Sequence, residues 1–77
     1  MKQSTRNALH IAILTLEDEM SIVNGDMERV MEAINYFTHK HPNVDRVFKL
    51  VEKRDALQDR VSDMSLALIP IYEAYRK

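Results

Sequence analysis

The sequence has no cysteine and no tryptophan, a single glycine, two prolines, two phenylalanines and three tyrosines. Without cysteine there is neither a disulfide framework nor a thiolate metal site, and a reducing compartment is compatible with the chain. One glycine in 77 residues, against an average usage of roughly 7%, points to long uninterrupted helices. An excess of one charge is also missing. Eleven basic against twelve acidic residues, net −1, exclude a strongly basic nucleic-acid arm and an acidic tail alike. No apolar run is long. Residues 8–16 contain His10, end in Glu17-Asp18-Glu19 and lack a small-residue cleavage site, and they fall far short of the roughly 20 residues a membrane span needs. The expectation is a soluble, cytoplasmic protein with no membrane partner. A chain of this length is near the lower limit for one self-sufficient core, so self-association is expected from the outset.

What is present is a repeating pattern. Leu9, Ile13, Leu16, Met20, Val23, Met27, Val30, Ile34 and Phe37 recur at alternating spacings of four and three. Val47, Leu50, Arg54, Leu57, Val61, Met64, Leu68, Ile71 and Tyr75 keep the same spacing with one charged intruder. An apolar period of 3.5 residues sustained over heptads marks a coiled-coil seam. The strongest break lies between the two series, at His39-Lys40-His41-Pro42-Asn43. Pro42 disfavours helix at His41 and suits the first turn of a following helix. If the chain folds back there, each residue of the first series faces one of the second at equal separation from Pro42, from the pair Leu9 and Tyr75 to the pair Phe37 and Val47.

The predicted fold is therefore all-α: an antiparallel two-helix coiled-coil hairpin forming one domain over residues 1–77. Helices are expected at about residues 5–39 and 44–76, with a turn at residues 39–43. Nine layers give a rod roughly 40 Å long. Asp26 is expected to approach Arg60 on one flank, and Asn24 to approach Gln58 on the other. Gly25 either ends a helix that Asp26 restarts or sits in one kinked helix, and the unbroken heptad phase favours the kink. Pro70 removes a backbone donor, and the phase again favours a kink over a break.

The seam takes about half of the hydrophobic residues. Among the rest, Leu14, Met31, Val44, Phe48, Val51, Ile69 and Tyr72 fall on one flank of the hairpin, clustered at its two ends. A polar belt of Glu17, Ser21, Asn24, Asp55, Gln58, Ser62 and Ser65 separates them. A lone two-helix hairpin has no second layer to cover such a flank. If each of the seven buries about 60–80 Å², together they contribute on the order of 10 kcal/mol per subunit before entropy. The flank is expected to be a protein interface. Its simplest use is a homodimeric four-helix bundle, antiparallel so that each distal cluster covers a tip cluster; its sharper use is to bind a helix of another protein. Ile11, Ile22, Tyr36 and Leu66 lie outside this flank and remain for a further partner.

Candidate chemistry is sparse. Arg54 occupies a seam position opposite Val30 as a buried charge. It either binds an anion with Gln58 and Asn24, or snorkels outward to Asp55, Asp59 or a partner's carboxylate and fixes register, which is the favoured expectation. His39, His41 and Asp45 have no ligand spacing on a shared helix face, so no metal is expected. His10 is expected to pack beside Tyr72. With no glycine-rich loop and no nucleophile set, neither catalysis nor a cofactor is expected. Arg46, Lys53 and Arg60 recur every seven residues, with Lys40 and Lys49 near the tip; this line can contact phosphates, but interleaved acids make a salt-bridged solvent face the favoured expectation.

No motif is specific to one family. The layout resembles plasmid copy-control RNA-binding hairpins, and small needle subunits and chaperones of bacterial secretion systems, in shape alone, and no residue carries over. The expected function is that of a non-catalytic protein-protein interaction module: a small adaptor, chaperone or inhibitor, bacterial or phage-encoded. The alternatives are a nucleic-acid-binding hairpin and a ligand-binding or enzymatic bundle centred on Arg54.

Overall fold

A computed structural model describes residues 2–77. Helix α1 spans Gln3–Asn35 and runs on into a π-helical turn, Tyr36–Lys40; helix α2 spans Val44–Arg76. The two helices lie antiparallel against each other along their length, in a rod 57 Å long and 15 by 13 Å across. Its radius of gyration is 17.4 Å, against about 11–12 Å for a compact chain of this length. The rod exceeds the expected 40 Å because both helices outrun the seam: α1 begins at Gln3, and the π turn carries helical backbone through Lys40. The hinge is accordingly shorter than expected.

Pro42 has no amide hydrogen to donate and cannot prolong the ladder. The chain instead widens into the π turn, with the His41 amide donating to the Tyr36 carbonyl at 3.0 Å and the Asn43 amide to the Phe37 carbonyl at 3.0 Å. Asn43 then caps α2, its side chain accepting from the Arg46 amide at 3.1 Å. Asp45 sits in the first turn, where the helix dipole favours an acid. Pro42 thus precedes the cap; it does not lie inside the first turn.

Gly25 neither ends nor restarts a helix. Among the described residues no φ is positive, and α1 is continuous across it. Likewise α2 continues through Pro70. Backbone breaks at either point would have rotated the seam out of contact, and the heptad phase on both sides holds the helices together instead.

Every one of the eighteen seam positions is buried or half-buried. The tightest are Ile13, Val23, Val30, Met64 and Leu68, and Val23 is only 3% exposed. Among the described residues no side chain is completely enclosed, because a two-helix seam has one layer and no roof. An aromatic ring closes each end. Tyr75 packs with the Arg6 guanidinium, 4.6 Å from its centroid, and stacks with the His10 ring at 5.8 Å. At the tip, Phe37 has Arg46 over its face at 5.0 Å and Tyr36 against it edge-on at 5.0 Å. Each cation-π contact contributes about 0.5–1 kcal/mol at such exposed sites. His10 therefore packs on Tyr75, not on Tyr72: as the residue after Leu9, it falls beside the seam partner of Leu9.

Candidate functional site

The helical positions beside the seam form two flanks of different character. On the one singled out by its apolar clusters, a groove of about 510 Å³ is lined by Glu17, Met20, Ser21 and Asn24 from α1 and by Ser65, Leu68, Ile69 and Tyr72 from α2. The distal cluster and the polar belt thus share one open surface. A smaller groove of about 180 Å³ at the tip joins Val44 and Phe48 to Phe37, Thr38, Pro42, Asn43 and Val47. Leu14 lies three positions before Glu17 and Met31 seven after Asn24, so both share this face of α1.

These side chains are open to water. Phe48 is 66% and Val44 68% exposed, and Leu14, Met31 and Ile69 are each about half exposed. Val51 and Tyr72 are half-buried. Ile11, Ile22, Tyr36 and Leu66 are also exposed, away from this groove. A long helix leaves such residues uncovered when only one stripe of its surface meets a neighbour.

Polar contacts order the middle of the flank. The Tyr72 hydroxyl donates to the Glu17 carboxylate across the hairpin. That hydrogen bond, with smaller contributions from desolvation and the negative charge of Glu17, raises the Tyr72 pKa above its ordinary value. Arg54 is not a buried charge: its side chain is 39% exposed, and Nη2 donates to Asp55 Oδ1 at 3.3 Å. Its stem covers the seam while the guanidinium leaves it, because desolvating an unpaired guanidinium costs more than extending the stem. Val30, on the facing helix, stays buried.

The opposite flank carries the charges. A groove there is bordered by Asp26, Arg29, Val30 and Ala33 from α1 and by Leu50, Lys53 and Leu57 from α2. Arg60 pairs with Glu19 at 3.3 Å, while Asp26 is taken by Arg29 of its own helix. The expected Asp26–Arg60 contact is therefore replaced. A long Arg side chain reaches either of two acids a heptad apart, and Asp26 has a cation one helical turn away. Of the basic line, Arg46 lies over Phe37, Arg60 is ion-paired, Lys53 borders the charged groove, and Lys40 lies beside Glu32 and His39. Lys49 is exposed near the tip. His41 is tilted against Tyr36 and Phe37, with ring centroids 6.3 and 6.4 Å away.

Heptad spacing alone does not supply the Tyr72–Glu17 hydrogen bond, whereas the outward course of Arg54 to Asp55 is the one favoured from the sequence. The pairing of Glu17 with Tyr72 on adjacent flanking positions was the available signal for the first. Among the described residues no helix is long and apolar enough to cross a membrane. The chain matches no family model, no curated protein and no solved structure in the three comparisons with known proteins.

Proposed function

We propose that this chain is a non-catalytic protein-protein interaction module that works as a self-associating helical hairpin. The observation that carries the reading is uncovered apolar surface. A compact folded protein of 9.0 kDa exposes about 4,900 Å², whereas this one exposes 5930 Å². The excess, on the order of 1,000 Å² of polar and apolar surface together, follows from the rod shape and is of the size that one copy contributes to a stable interface. Seven flank residues burying about 70 Å² each give about 500 Å² of apolar area per copy. Two copies with their polar belts then reach the roughly 1,200–2,000 Å² of a stable interface. Ile11, Ile22, Tyr36 and Leu66 lie outside this contact and supply the surface on which an adaptor, chaperone or inhibitor holds a different protein.

Sedimentation equilibrium tests the reading. The wild type is expected at twice the chain mass, and Phe48→Asp or Ile69→Asp at the chain mass with its helical circular dichroism retained. Leu57→Ala, which opens a cavity in the seam, is expected to lower the stability of the hairpin itself by about 2–3 kcal/mol. A wild type that stays folded and monomeric at high micromolar concentration refutes the proposal.

A further inference from the structure

We propose that two copies join flank to flank with their hairpins antiparallel, and that Glu17 of each subunit pairs with the partner's Arg54 to fix that direction. This inference rests on the self-association reading and adds its geometry.

The two apolar clusters sit at opposite ends of one flank with the polar belt between them. A two-fold axis perpendicular to the rod, passing beside Asn24, lays each distal cluster on the partner's tip cluster. It also lays belt on belt. Glu17 lies seven residues from Asn24 toward the open end, about 10 Å along the helix. Arg54 faces Val30, six residues from Asn24 toward the tip, about 9 Å. Rotation about the axis therefore brings Glu17 to the level of the partner's Arg54 within one residue's rise.

Both side chains are directed to this flank. The Tyr72 hydroxyl holds the Glu17 carboxylate at the edge of the 510 Å³ groove. The Arg54 guanidinium turns out of the seam toward Asp55, which belongs to the same polar belt. Met31 stands almost level with Arg54 and is 54% exposed. The same rotation carries it over the partner's groove, beside Ile69 and Tyr72, and a flexible thioether side chain suits such an irregular gap. Asn24, next to the axis, meets its own copy, and an amide both donates and accepts, so it satisfies its twin.

The competing parallel dimer has its axis along the rod. It sets Glu17 against Glu17 and Arg54 against Arg54, and the 510 Å³ groove faces its copy with no side chain to fill it. Charge pairs of this exposure add little affinity, but like charges in register select against the wrong orientation. A seam residue that packs poorly within the hairpin thus acts between hairpins.

The absence of native cysteine makes the direction measurable. Val51→Cys and Tyr72→Cys, both on α2 and beside the seam on this flank, are prepared as separate full-length variants and treated with a short bis-maleimide. Antiparallel packing places each introduced thiol about 30 Å from its own copy and next to the other variant's. Cross-linked dimers are therefore expected only when the two variants are mixed. Cross-linking of each variant with itself, and not in the mixture, overturns the antiparallel order while leaving self-association intact. A wild type monomeric by sedimentation overturns both. For the charges, Glu17→Arg is expected to weaken dimerisation about tenfold at low salt, and its combination with Arg54→Glu to restore it. Failure of that double variant to recover, with its helicity retained and with the cross-linking of Val51→Cys to Tyr72→Cys unchanged in a Glu17→Ala background, overturns the Glu17–Arg54 pairing.

Discussion

Gly25→Ala is expected to stabilise the protein. The glycine lies in the interior of a continuous 33-residue helix, with no positive φ. A Cβ built at this position has nothing within 4 Å. The substitution therefore meets neither strain nor collision, and what remains is the helix preference of alanine over glycine. That preference is about 0.8–1 kcal/mol, chiefly because glycine has more backbone freedom to lose on folding. In a domain of this size, a gain of 1 kcal/mol raises the melting temperature by about 4–8 °C. Thermal and urea unfolding followed by circular dichroism at 222 nm measure it, at a fixed protein concentration, since association contributes to the apparent midpoint. Glu32→Ala, seven residues along the same outer face of α1, serves as the control; it swaps one good helix former for another and is expected to shift the midpoint by only a small fraction of that. The unfolding slope against urea is expected to stay constant, since no surface is added or removed. A lower melting temperature for Gly25→Ala refutes the reasoning. It would mean that another surface lies against the Gly25 backbone in the assembled protein, with no room for a methyl group.

Arg54→Leu is expected to raise hairpin stability by about 1 kcal/mol: the leucine adds on the order of 60 Å² of buried apolar area, and the exposed ion pair it removes is worth about 0–1 kcal/mol. A lower melting temperature would show that Arg54 contributes more through its contacts than through its stem. The Tyr72 hydroxyl has a raised pKa because its neutral form donates to Glu17. Its contribution is fully present below the unfolded tyrosine value near 10 and is lost as pH rises through the folded value. Tyr72→Phe should therefore flatten part of the fall in stability above about pH 10, and identical pH profiles for the two proteins would remove the hydrogen bond from the account.

The architecture was legible because each helix records its own contact stripe. A heptad series is a local, linear signal, and two series equidistant from one proline leave a hairpin as the only way for both stripes to meet. Nine of the eleven large apolar residues outside the seam are exposed, as their heptad positions imply. Individual polar partners were less legible. Spacing assigns a residue to a layer, but Arg and Glu side chains span neighbouring layers, which is why Arg60 chose Glu19 and Asp26 chose Arg29.

By itself, then, the sequence determined the all-helical class, the hairpin centred on Pro42, the seam and the flank it leaves uncovered, because these follow from periodicity and from the covalent limits of proline. Only the tertiary structure decided that α1 passes unbroken through Gly25, that the hinge is approached by a π turn and capped by Asn43, and that Arg60 pairs with Glu19 and Tyr72 with Glu17. Those choices depend on φ and ψ, on side-chain reach and on desolvation at single positions. A repeat averages over such positions and does not specify them.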